Sequence, residues 1–244
     1  MAQIGLNDSN LELINVQNES SLHAAIKNHI FREGDLVEAR YKGFIIDLIR
    51  DGLLIEIQTK NFGGLRKKIK NLIDSARIRI VHPIVVEKRI VLMDAEENRI
   101  IRSRRSPKKG DLWDVFDELI YIHKWFEHIN LEIQLLFVKV EERRADDSKG
   151  SWRRGGVSII DAGLDEVIDE KRFIHPFQFI KYFPPSFKEK AFTTADLAKG
   201  LKITKNKARK IAYCLRESGI FTITGKQRNA YVYVLGNHRD RSRD

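Results

Sequence analysis

The chain has 244 residues, with 44 Lys and Arg against 34 Asp and Glu, and a formal net charge of +10. That length allows one large domain or two smaller ones, and 42% hydrophobic residues suffice for a core. A single cysteine, Cys214, excludes an intramolecular disulfide framework and a cysteine-rich zinc site, and no apolar run reaches the roughly 20 residues of a membrane helix.

The charge is unevenly placed. Residues 1–59 sum to −4, 60–110 to +10, 111–187 to −5 and 188–244 to +9. Two basic blocks separated by acidic sequence suggest two phosphate-contacting regions, with solvated helix faces as the plain alternative. The amino-terminal residues lack a basic start followed by an apolar stretch, so the expectation is a cytoplasmic protein without a membrane partner.

Residues 1–20 are read as a loose lead-in. A helix is predicted over 22–30, capped by Ser20 or Ser21 and stopped at Glu33-Gly34. Three strands follow over 35–41, 44–49 and 53–59. Lys42-Gly43 and Arg50-Asp51-Gly52 are the turns between them, which makes a three-stranded meander. Residues 62–74 carry apolar positions at helical spacing, and Arg66, Lys67, Lys68 and Lys70 form the other face. A strand over 77–81 is expected to close at His82-Pro83.

Beyond it a hairpin is predicted, with strands near 88–93 and 99–102 around Glu96-Glu97-Asn98, and then a basic loop over 102–110 with Arg102, Arg104, Arg105, Lys108 and Lys109. Residues 111–128 read as one helix with acids in its first turns. Strands are expected over 131–140, 157–160 and 167–173, and a mobile loop over 143–156. The middle, 84–173, is open to two readings: a support for the sheet or a homodimer surface. A helix over 177–183 ends at Pro184-Pro185, so the chain divides into 21–175, 176–237 and a basic tail 238–244.

Asp47 and Glu56 each sit inside an apolar strand, flanked by Ile46 and Leu48 and by Ile55 and Ile57. Carboxylates in such surroundings need a partner, and a divalent cation would supply one; ion pairing at a sheet edge is the alternative. Period-2 geometry puts Glu56, Gln58 and Lys60 on one strand face.

The motif Asp47…Glu56-Ile57-Gln58, on the second and third strands of an αβββαβ unit, resembles the PD-(D/E)XK nuclease superfamily over about residues 21–83. The resemblance implies a restriction endonuclease-like α/β (α+β) core with a mixed sheet. It implies Asp47 and Glu56 as ligands of Mg²⁺ or Mn²⁺, with Gln58 in the position usually held by Lys. Lys60 would partly replace that charge. Glu38 on the first strand, with His23 and Lys27 on the first helix, would complete the site.

Residues 192–235 read as helix, turn, helix and hairpin, and resemble a winged helix-turn-helix domain. Lys205, Asn206, Lys207, Arg209 and Lys210 would then face DNA from the second helix, and Lys226 and Arg228 from the wing. Arg66, Lys67, Lys70, Arg104 and Arg105 would be further phosphate contacts. The whole arrangement is also similar to a bacterial family of that layout that carries no established activity. The function expected is a metal-dependent, restriction- or defence-like DNA endonuclease. The alternatives are a non-catalytic DNA-binding regulator on the same fold, and RNA as the substrate.

Overall fold

The structure, a computed structural model, describes residues 20–94 and 99–236. The lead-in, the turn at Glu96-Glu97-Asn98 and the basic tail therefore lie outside the described residues, apart from Ser20. The fold is α+β with a mixed sheet.

Helix α1 spans Ser21–Ile30, and the hydroxyl of its N-cap, Ser20, accepts from the His23 N–H. Strands β1 (Leu36–Tyr41), β2 (Phe44–Arg50) and β3 (Leu53–Ile57) form the expected antiparallel meander. Both turns have positive φ at their two central residues, Lys42-Gly43 and Asp51-Gly52. That conformation matches the twist of paired strands and pins their register.

A 3₁₀ turn at Phe62–Leu65 and helix α2 (Arg66–Leu72) carry the chain to β4, which runs parallel to β3. Strand β4 is far longer than expected, Arg77–Asp94, and passes through Pro83. Proline lacks an N–H and normally ends a central strand. Here Val81 accepts from the Gln58 N–H at 2.9 Å and Val85 from the Gly110 N–H at 2.8 Å. Pro83 is in phase with both, in the gap between the end of β3 and the pairing with β5, so no strand asks it for a donor.

Strand β5 (Ile100–Arg105) pairs antiparallel with the far part of β4. This corrects the expected basic loop: Arg104 and Arg105 lie in a strand, opposite Ile90 and Arg89. Strands β6 (Leu131–Asp146) and β7 (Ser158–Phe173) complete a seven-stranded sheet in the order β1-β2-β3-β4-β6-β7, with β5 on β4. The two strands read within 157–173 are one, and the loop begins after Asp146 rather than at 143.

The single helix expected over 111–128 is instead a series of short pieces: 3₁₀ turns at Leu112–Val115 and His123–Trp125 around α3 (Phe116–Leu119). The helix expected over 177–183 is likewise a 3₁₀ helix, Pro176–Tyr182, with Phe183 extended just beyond it. The apolar spacing marked what is buried but did not distinguish one helix from several tight turns.

The chain forms two compact units, interleaved where the sequence suggests one cut near 175. The first draws on Met1–Lys60, Ser75–Leu112 and Ile133–Arg172, the second on Asn61–Asp74, Trp113–Glu132 and the residues from Phe173. In the first, Ile26 of α1 packs with Leu48, Leu53, Ile55, Ile57, Val81, Leu136, Val138 and Val140. Each such side chain, fully buried, contributes roughly 1.5–3 kcal/mol.

The second unit has an aromatic core, in which Phe173 stacks on Phe179 at 3.8 Å and Phe116 meets Phe179 edge-on at 5.1 Å. Here lie α4 (Ser186–Glu189), the short β8 (Phe192–Thr193), α5 (Thr194–Gly200), α6 (Lys205–Glu217) and the β9–β10 hairpin (Phe221–Gln227, Ala230–Leu235). Thr193 and Thr204 cap α5 and α6 as their positions suggest. A Cβ on Gly200 would stand 2.4 Å from the Phe187 ring, so glycine there lets the ring close on α5. Cys214 is fully buried on α6, and burial pushes its thiol up to about 12.

Candidate functional site

The hairpin register decides where the acids fall. Glu38 and Asp47 are bracketed by the pairs Val37–Leu48 and Ala39–Ile46, and Asp47 and Glu56 follow directly on the pair Leu48–Ile55. Three acidic residues thus stand at one level across β1, β2 and β3. Glu56 is only 5% exposed and is paired in register with Ile80 of β4.

The pairing of β2 with β3 stops at this level. One Asp47 carboxylate oxygen, Oδ2, accepts from the Ile57 N–H at 2.7 Å, so a side chain takes over where the ladder ends. The same oxygen lies 3.4 Å from His23 Nε2. Glu38 has φ +49°, a left-handed backbone that side chains disfavour. Its carboxylate accepts from Lys27 Nζ at 2.6 Å. His23 and Lys27 are one helical turn apart, so α1 addresses Asp47 and Glu38 in succession.

Gln58 extends the parallel pairing by one residue through its N–H to Val81, and its carbonyl meets His82 Nδ1 at 2.6 Å. Its side-chain amide donates to the Lys60 carbonyl. Lys60 is exposed, and this contact uses its backbone rather than its ammonium.

Among the described residues, no group of three or more His, Cys, Asp or Glu is arranged to hold a metal. The acids that the sequence assigns to such an ion are Asp47 and Glu56. One or two carboxylates, completed by water and phosphate oxygens, form an ordinary Mg²⁺ environment.

The basic residues divide by surroundings. Arg66, Lys67 and Lys70 are exposed on α2, while Ile69 and Leu72 are buried. Arg104 and Arg105 are exposed along β5. On α6, Lys205, Asn206 and Arg209 are exposed. Lys210 is instead bonded to Asp117 at 2.8 Å, and Lys207 to Asp114. Further along the same helix, Tyr213 meets His123 at 3.2 Å. In the hairpin, Lys226 lies over the Tyr231 ring at 5.1 Å, and Arg228 stands in the tight turn with φ +54°.

Sequence reasoning missed the Asp35–Arg50 pair. Arg50 donates to both Asp35 oxygens, at 2.8 and 2.6 Å, and to the Ile30 carbonyl at 2.6 Å. The Arg50 hydrogen bonds hold the Asp35 carboxyl below its usual range. No spacing signal joins two residues in a turn and at a strand end; only the hairpin brings them together.

A 162-residue stretch is 30% identical to an uncharacterized protein of Treponema pallidum (strain Nichols), covering 66% of this chain and 64% of the relative, so the match spans less than two thirds of that protein. No solved structure matches the chain. Residues 20–174, from the cap of α1 to the end of β7, match the domain of unknown function DUF8091, and the chain belongs to that family.

Proposed function

We propose that the chain is a metal-dependent DNA endonuclease on a restriction endonuclease-like core, with a carboxy-terminal winged helix for DNA binding. The observation that carries this reading is the level of acids across β1–β3, ahead of a parallel crossover to β4, in the element order αβββαβ. A Mg²⁺ or Mn²⁺ ion bound there would offset charge on the scissile phosphate and make a coordinated water easier to deprotonate.

The protein's own groups do the positioning. Asp47 is held by the Ile57 N–H beside His23, which fixes the orientation of its carboxylate. Lys27 holds Glu38 at the same level. The Gln58 amide and the Lys60 ammonium are assigned to orient water or a phosphate oxygen. The Gln58 amide carries no titratable charge and so cannot act as the base. Lys205, Asn206 and Arg209 are the α6 residues assigned to DNA, together with Lys226 and Arg228; Lys210 is assigned to Asp117 instead. Arg66, Lys67, Lys70, Arg104 and Arg105 are assigned to further phosphates.

Purified protein with Mg²⁺ or Mn²⁺ is expected to cut duplex DNA, and Asp47→Ala or Glu56→Ala to abolish cutting. Equal cutting by wild type and both variants would overturn the assignment, and preferential cutting of RNA would change the substrate.

A second reading, a DNA-binding regulator without catalysis, is favoured by the Asp47–Ile57 hydrogen bond, since a carboxylate that closes a strand end has a structural use. It expects DNA binding that needs no metal and survives Glu56→Ala. Calorimetric titration with Mn²⁺ separates the readings: saturable binding lost in Asp47→Ala supports the nuclease.

A further inference from the structure

At the other end of α1 from His23, the first unit holds a cavity of about 120 Å³. It is lined by His29, Arg32, Arg50, Arg79, Gln134 and Arg172, with Glu170 the one acid of its wall among the described residues. The concentration of charge is unusual. Four guanidiniums line one small space, one of them, Arg50, already paired with Asp35. Arg79 and Gln134 are buried, at 6% and 5% exposure. Ile55, in register with Arg79, shows that this wall belongs to the sheet face covered by α1.

The four arginines are not equally committed. Arg50 is fixed by Asp35 and by the Ile30 carbonyl, and thereby also removes one open carbonyl from the end of α1. Arg172 meets Glu170 only at 3.8 Å, with both side chains more than 40% exposed, so that pair holds weakly. Among the described residues, the Arg32 guanidinium makes no hydrogen bond or ion pair; its backbone N–H donates to the Asp35 carboxylate, its carbonyl accepts from the Asp35 N–H, and its charge acts on that carboxylate from a distance. Two exposed guanidiniums beside the buried Arg79 and Gln134 form a receptor for an anion with several acceptor oxygens. The volume lies well below the roughly 300–1,000 Å³ of sites for drug-sized ligands, so the ligand is small.

We propose that this cavity binds a phosphate group, as the free ion or as the terminal monoester of a small molecule, with Arg32 and Arg172 closing on it. The proposal is independent of the nuclease reading, because it uses none of Glu38, Asp47, Glu56 or Gln58.

The test is calorimetric titration of the full chain with sodium phosphate at constant ionic strength, beside Arg32→Gln, Arg172→Gln and the double variant. Circular dichroism checks that each variant is folded; both positions are exposed, so the fold should persist. Saturable one-to-one binding is expected, weakened about tenfold or more in each single variant and lost in the double. Asp47→Asn is expected to bind phosphate as the wild type does, which keeps this result separate from the metal site. Adenosine 5′-monophosphate and adenosine distinguish the sources. Tighter binding of the monophosphate than of phosphate assigns a monoester, and the reverse assigns the free ion. No saturable binding, undiminished binding in the double variant, or equal binding of acetate overturns the proposal.

Discussion

The acids of β1–β3 and the bases of α6 are both clusters visible in the sequence, yet they are anchored differently. On the sheet, Asp47 is tied to a backbone N–H of the neighbouring strand and Glu56 is almost wholly buried. On α6, Lys207 and Lys210 are held by the carboxylates of Asp114 and Asp117, with the Asp117 side chain 42% exposed. A strand side chain is committed by register, because its neighbours follow from the turn. A lysine side chain on a helix, about one turn long, can swing, and whatever acid lies within reach competes for it. The first cluster is therefore preorganised, while part of the second is already occupied.

The largest effect that would sharpen this contrast is on chemistry. Glu56→Ala is expected to reduce metal-dependent cleavage by at least ~10³-fold, since metal ligation is worth several kcal/mol in the transition state. Single substitutions of Lys205 or Arg209 should leave the cleaved-complex rate within about tenfold and act on binding. A loss of rate on substituting α6 as large as that for Glu56 would break the distinction.

Next in size is the buried pair beside α1. The Asp35 side chain is 2% exposed and that of Arg50 15%. Asp35→Asn should lower unfolding free energy at neutral pH by on the order of 3 kcal/mol in urea titration, because Arg50 is left uncompensated. The pH dependence has a definite sign. A carboxyl held below its ordinary value of 3.8 stabilises the fold above that pH, and the contribution is lost as pH falls through the lower folded value. Wild type should therefore lose thermal stability more steeply than Asp35→Asn on acidification below about pH 4. Parallel curves for the two proteins would exclude the pair as the cause.

Smaller, and the most direct comparison, is Asp47→Ala against Lys210→Gln. Removing the acceptor of the Ile57 N–H should cost about 1–3 kcal/mol, with Asp47→Asn recovering part because it still accepts. Breaking the half-exposed Lys210–Asp117 pair should cost less than about 1 kcal/mol. Equal losses would mean that α6 is anchored as firmly as the sheet acids. The smallest effect is on salt dependence: Lys205→Gln should reduce the slope of log affinity against log salt by roughly one, and Lys210→Gln by less.

Much of the candidate site was legible before the structure. Lys42-Gly43 and Arg50-Asp51-Gly52 are strong turn signals for the meander, but the register that sets Asp47 beside Glu56 came from the structure, where Arg50 pairs with Leu53 and the turn is Asp51-Gly52 alone. The same logic failed at His82-Pro83, because the cost of proline in a strand depends on whether a neighbour needs its N–H, and here none does. It failed again over 111–128, where apolar spacing reports burial but not whether the backbone forms one helix or several 3₁₀ turns.

What the sequence by itself determined were the locally encoded features: the three-stranded meander, a cap at Ser20 or Ser21, the Thr193 and Thr204 caps, and the acids embedded in apolar strands. Each depends on a few neighbouring residues and on backbone conformations that few residue types favour. The tertiary structure alone decided which charges are committed. Asp35 finds Arg50, Lys27 finds Glu38, Lys210 finds Asp117, and Arg79 is enclosed with Arg32 and Arg172 nearby. Coulombic and hydrogen-bond partners are chosen by distance in space, and a separation of 93 residues, as between Lys210 and Asp117, leaves no trace in spacing or composition.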